Sequence, residues 1–112
     1  MAEPTPKELF DLGVKSNKAK DYIKAKKYFE KACGLKDGDG CLRLGEMQRS
    51  GEGVVKNREQ AMKNFKKGCD LKNKLACMGY IATVGEIMNE RCQLGDEVAC
   101  VRLNNLLDDI GY

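Results

Sequence analysis

The cysteines constrain this chain more than anything else in it. They stand at positions 33, 41, 69, 77, 92 and 100, which reads as three successive Cys-x7-Cys pairs. The first two pairs repeat at an offset of 36 residues. The same offset places Ala25 on Ala61, Phe29 on Phe65, Leu35 on Leu71 and Lys36 on Lys72. A period of this size marks a stack of small units, each unable to bury its apolar face alone. The stretch 41–77 is the one complete copy. The repeat phase selects one cysteine pairing, Cys33–Cys41, Cys69–Cys77 and Cys92–Cys100. Closing a loop of about eight residues stabilises by roughly 2–3 kcal/mol on the chain-entropy estimate. Such bridges need an oxidising compartment.

A metal reading is poorer. The chain has no histidine, and no Cys-x2-Cys that would bring thiols together for zinc. Catalytic thiols would not recur in pairs at one repeat phase. No metal, no catalytic residue and no cofactor is implied.

With 112 residues there is room for one domain and a limited core. Staples suit that size. Charge is unevenly placed. Residues 1–85 carry 18 Lys and Arg against 11 Asp and Glu, a balance of +7, and residues 86–112 carry 2 against 6, a balance of −4. No aromatics are interleaved with the lysines as a base-stacking surface requires, so nucleic acid is not an expected partner. No run is long enough for a membrane span. The segment Met1-Ala2-Glu3-Pro4-Thr5-Pro6 lacks the apolar core of a signal peptide. Ala-Glu-Pro resembles the start of a processed exported chain, with Met1 as an added start codon. A secreted or periplasmic monomer is the expectation.

Apolar spacing predicts an all-α chain. Helices are expected over about 7–17, 22–35, 41–49 and 58–71, with a closing helix over 96–109. Asp21 and Asn57 are N-cap candidates. Gly45 sits where a neighbouring helix can approach, and Val54 can tuck between helices. The third unit departs from the pattern, because Cys69 to Cys92 spans 23 residues and the Gly-x-Gly-Val loop of the second unit is missing. Two short helices meeting near Val84-Gly85 are expected there, with one continuous helix from about Leu75 to Gln93 as the alternative. The units fall at about 7–40, 41–76 and a shortened 77–99, followed by the cap 96–109, in a single domain 1–112.

Two loops imitate ligand sites. An EF-hand starting at Asp37 of Asp37-Gly38-Asp39-Gly40 would need Glu at its twelfth position, where Gln48 stands. Gly51-Glu52-Gly53 lacks the preceding strand and the following Gly-Lys-Ser/Thr of a phosphate loop. Helix-ending and capping turns account for both.

The run Leu44-Gly45, Gly51-x-Gly53-Val54 and Gln60-Ala61-x-x-x-Phe65-x-x-Gly68-Cys69 resembles a Sel-one-like repeat, a relative of the tetratricopeptide repeat. The Cys-x7-Cys in every unit is similar to that of the exported cysteine-rich members in Helicobacter. The resemblance covers 7–77 and the last cysteine pair. It implies an α/α solenoid of antiparallel helix pairs with one disulfide per repeat. It also implies a scaffold for protein or peptide binding. The alternative it implies is a penicillin-binding protein or weak β-lactamase, taking a β-lactam or peptidoglycan-like small molecule. The residues speak against ordinary hydrolysis, since there is no histidine for a triad. Neither Ser16 nor Ser50 begins Ser-x-x-Lys. A curved stack presents a concave face built from the first helix of each pair. By phase the residues on it are Phe10, Val14, Leu42, Glu46, Arg49, Met78 and Ala82, with Glu46 and Arg49 spaced to form a surface ion pair.

Overall fold

The computed structural model describes residues 2–111, so the expectation about Met1 lies outside the described residues. Six helices follow one another: α1 (Pro6–Lys18), α2 (Tyr22–Gly34), α3 (Gly38–Ser50), α4 (Arg58–Asp70), α5 (Lys74–Gln93) and α6 (Glu97–Asp109). Among the described residues there is no strand. Each helix packs chiefly on the one before and the one after it, with α3 also touching α5, giving an elongated body of 55 × 26 × 18 Å. This is a helical solenoid stapled by three disulfides.

Local sequence explains each start. Thr5 and Glu8 form a capping box on α1, and Pro6 occupies the first turn, where no N–H is needed. Asp21, Asp37, Asn57, Asn73 and Asp96 cap the following five helices by accepting a backbone N–H. Asp37, not a later residue, caps α3, so this helix begins at Gly38 and Cys41 lies inside its first turns. The EF-hand look-alike is thus a helix start.

The ends share one device. After α2 the N–H of Lys36 donates to Cys33 O and that of Asp37 to Ala32 O. The same two bonds recur at Lys72 and Asn73, at Gly95 and Asp96, and after α1 at Lys20 and Asp21. This is the Schellman pattern, whose turning residue is left-handed. Lys36 and Lys72 have φ of 67° and 69°, in the region L side chains avoid, and Gly95 has 97°. The residue after the turn caps the next helix, so three residues reverse the chain. That brevity brings Cys33 and Cys41 to a Cα–Cα distance of 4.6 Å, with 4.5 and 4.6 Å in the other two pairs. Successive turns also stack, as Asn73 Nδ2 donates to Asp39 Oδ1 at 2.8 Å. Replacing Lys36 or Lys72 by glycine removes the left-handed strain of a Cβ. Each change is expected to raise unfolding stability by about 1 kcal/mol, measured by urea titration of helical ellipticity.

The core comprises two linked clusters. Ala25, Phe29, Leu44 and Met47 form one, with Phe10, Val14, Tyr22 and Val54 against it. Leu42, Ala61, Phe65 and Ala76 form the other, with Tyr80 beside them. Phe65 is the hub of the second. A Cβ on Gly45 would lie 2.8 Å from its ring, and one on Gly79 would lie 2.7 Å from it. Two helices therefore approach the Cδ1–Cε1 edge of the same ring, each through a missing side chain. Within the second unit, Asn64 Nδ2 of α4 donates to Gln48 Oε1 of α3 at 2.6 Å and satisfies a buried polar pair.

The third unit corrects one expectation. Residues 74–93 form a single 20-residue helix, not two short ones meeting at Val84-Gly85. No cap or turn interrupts it. The Thr83 hydroxyl donates to Gly79 O one turn back, which keeps the helical ladder intact. Gly85 is accommodated because Leu106 of α6 packs over it, 3.7 Å from where a Cβ would stand. Without the Gly-x-Gly-Val loop nothing turns the chain before Gln93. Cys92 still reaches Cys100, since the reversal comes directly after it.

Candidate functional site: a charged groove across the first helices

A groove of about 500 Å³ is lined by Asn17 of α1, Phe29 of α2, Arg43, Glu46, Met47, Arg49 and Ser50 of α3, Glu52, and Glu86 of α5. The period of α3 explains its content. Leu44 and Met47 turn into the core against α2. Arg43, Glu46 and Ser50, at three- and four-residue spacing, then share the outer face. Gly51 ends α3 in a left-handed cap and folds Glu52 back towards the groove.

Arg49 is committed to Glu86. Its Nε donates to Glu86 Oε1 at 2.9 Å, and a second guanidinium N–H bonds the same oxygen. The pair ties α3 to α5 across 37 residues of sequence. One turn along α5, Glu90 pairs with Arg58 at the start of α4. Both pairs are about one-third exposed or more, so each contributes modestly to stability and mainly sets the angle of α5. Arg43 lies 5.7 Å from the centroid of the Phe29 ring, a cation–π contact. No ion pair engages Arg43, Glu46 or Glu52 among the described residues. The groove thus holds one guanidinium and two carboxylates that form no ion pair among the described residues.

The structure divides the concave-face residues. Glu46 and Arg49 line the groove, but Arg49 pairs with Glu86 and not with Glu46. The reason is reach: α5 passes beside the end of α3 and offers a carboxylate in line with the guanidinium. Phe10 and Val14 pack against the first core cluster, and Phe10 meets Phe29 with ring centroids 5.7 Å apart. Leu42 is 9% exposed and belongs to the second cluster. Met78, its counterpart in α5, is 64% exposed, and Ala82 is exposed as well. Neither lines the groove. Sequence reasoning missed Asn17, Arg43, Glu52 and Glu86. Arg43 had a usable signal in its spacing from Glu46. Glu86 had none, because its position depends on α5 being continuous.

Both serines are engaged by their own helices. Ser16 Oγ donates to Leu12 O at 2.8 Å and Ser50 Oγ to Glu46 O at 2.9 Å. Neither proton is directed at a base. Among the described residues no group of three Cys, Asp or Glu side chains could hold a metal ion.

Stacked helix pairs, disulfides at every junction and a charged groove on the first helices define a disulfide-stapled α-solenoid scaffold. The chain belongs to the Sel1 repeat family, whose sequence profile matches residues 9–37 and 38–73. It is similar to three proteins of Helicobacter pylori. HcpC is 59% identical over 56 residues, which are 50% of this chain and 19% of that protein. Beta-lactamase HcpA is 50% identical over 62 residues, 55% of this chain and 25% of that protein. HcpD is 37% identical over 53 residues, 47% and 17% respectively. The matched stretch therefore spans between about a sixth and a quarter of these relatives.

Proposed function

We propose that this chain is an exported scaffold that binds a segment of another protein in the α1–α3–α5 groove. The observation that supports this most is the groove itself: it runs across the first helices of successive units and carries Arg43, Glu46 and Glu52, which no ion pair engages among the described residues. Unpaired charges of both signs on a rigid framework favour a polypeptide ligand, which offers backbone polar groups and side chains of both charges. Three disulfides suit a protein working outside the cytosol. Among the described residues no helix is long and apolar enough to cross a membrane.

The test is selection from a displayed peptide library on the oxidised protein. Selected peptides are expected to lose at least tenfold in affinity with Arg43→Ala or Glu46→Ala. Both positions are outside the core, so the helical signal should be retained. Peptides that bind these variants as tightly as the parent protein would place the binding surface elsewhere.

The name of HcpA motivates a second reading, action on a β-lactam. Here Ser50 is the one hydroxyl in the groove, and its proton is given to Glu46 O. A Ser50→Ala variant is therefore expected to match the parent in a chromogenic cephalosporin assay. Turnover by the parent that vanishes in Ser50→Ala would establish a serine enzyme.

A further inference from the structure

The first two units share more than their core. At the offset of 36, Lys27 falls on Lys63, Lys31 on Lys67 and Lys36 on Lys72. All six lysines are exposed, and none takes part in an ion pair among the described residues. They lie on α2 and α4 and on the turns that follow, and none lines the α1–α3–α5 groove. Lys27 and Lys31 are four residues apart on one helix face, as are Lys63 and Lys67. The rows of the two units meet in a shallow cleft of about 400 Å³, lined by Cys33, Gly34, Lys36, Lys67, Asp70 and Leu71. Its one carboxylate, Asp70, is already held by Lys66 at 3.2 Å.

Two observations set this lattice apart from an ordinary solvated face. First, of the three lysines in left-handed positions, Lys20, Lys36 and Lys72, the last two stand at one phase of the repeat and border the cleft or its counterpart, and the third unit has glycine at that phase, as Gly95. A side chain kept at a strained position points to a use for that side chain. Second, the third unit inverts the pattern. Aligned on Cys69 and Cys92, the places of Lys63 and Lys67 are taken by Glu86 and Glu90, which are bound to Arg49 and Arg58. The basic surface therefore stops where the first two units stop.

We infer that the outer surface of α2 and α4 binds a linear anionic polysaccharide, one carrying sulfate or carboxylate groups along its length. All six groups are lysines. The ammonium is a compact point charge with freely rotating donors, suited to repeated anions without a fixed bidentate geometry. The ends of α2 and α4 line one cleft, so the two rows lie on one continuous surface. A chain polymer laid along both rows crosses the Lys36–Lys67 cleft. Exposed aromatic rings interleaved with the lysines, which a nucleic acid would use for stacking, are lacking from these rows. The disulfides suit the compartments in which acidic polysaccharides occur.

The test uses the oxidised full chain and heparin as the probe, with titration at several salt concentrations. Binding is expected to weaken at least tenfold between about 50 and 200 mM salt, as release of bound counterions requires. The variant carrying Lys36→Gly and Lys72→Gly is expected to melt higher than the parent yet bind heparin at least fivefold more weakly, an outcome misfolding cannot imitate. A second variant, with Lys27, Lys31, Lys63 and Lys67 changed to Glu, is expected to lose at least twentyfold. A charge-matched control with Glu at Lys7, Lys15, Lys18 and Lys74 should lose less than threefold. An equal loss in the control would reduce the effect to net charge and overturn the proposal. So would heparin affinity unchanged by the two glycines, or tighter binding to duplex DNA or to phosphatidylglycerol vesicles than to heparin.

Discussion

Reduction is expected to unfold this protein at room temperature. Each bridge closes a loop of 8 residues of separation and, on the chain-entropy estimate, stabilises by roughly 2–3 kcal/mol. Removing all three matches the total stability of a typical small domain, about 5–15 kcal/mol. The three are not equivalent. Cys33 and Cys41 are buried between α2 and α3, and Cys69–Cys77 joins the first two units to α5. Cys92–Cys100 secures α6, which packs on α5 and buries only Ala99. Double alanine replacement of Cys69 and Cys77 should therefore lower global stability by about 2–3 kcal/mol. The same change at Cys92 and Cys100 should chiefly release α6, seen as faster amide exchange confined to the last helix. Thermal melts with and without reductant, followed by exchange on each variant, check both. A melting temperature unchanged by reductant would refute the role given to the bridges.

Phe65→Ala is expected to be the most damaging single substitution in the core. The ring is 1% exposed and fills the space that Gly45 and Gly79 leave between α3, α4 and α5. Truncation empties that space, where α3 and α5 are already held by their own packing, and should cost about 3–5 kcal/mol. The glycines provide an internal check. Gly45→Ala alone drives a methyl to within 2.8 Å of the ring and should destabilise by about 1–3 kcal/mol. In a Phe65→Leu background the same methyl has room, and its penalty should largely disappear. A double-mutant cycle by urea denaturation measures this coupling. Additive penalties would mean that Gly45 is present for some reason other than the ring.

Much of the architecture was legible in the residues. The 36-residue offset and the cysteine phase led to the helical stack and to the bridges it contains. Asp21, Asn57 and the Asp37–Gly40 turn announced helix boundaries by their capping chemistry, although α3 begins a few residues earlier than expected. These signals are local, because a cap or a Schellman turn involves residues three to five apart and is decided by short-range hydrogen bonding. The groove was only half legible. Glu46 and Arg49 were found from the period of α3. Leu42 shares that period but faces α4, and only the packing of the second unit shows it.

The amino-acid sequence alone determined the class of fold, the repeat unit, the helix caps and the cysteine phase, because each rests on spacing along one element or between identical units. Tertiary structure alone decided that 74–93 is one helix, that Arg49 pairs with Glu86 and not Glu46, and that Met78 stays exposed where Leu42 is buried. In each case the partner comes from another unit, so the outcome depends on how far one helix extends beside its neighbour. The missing loop of the third unit is visible in the sequence. Its consequence, a helix that continues straight and brings Glu86 to Arg49, follows only once α5 is packed on α3 and α4.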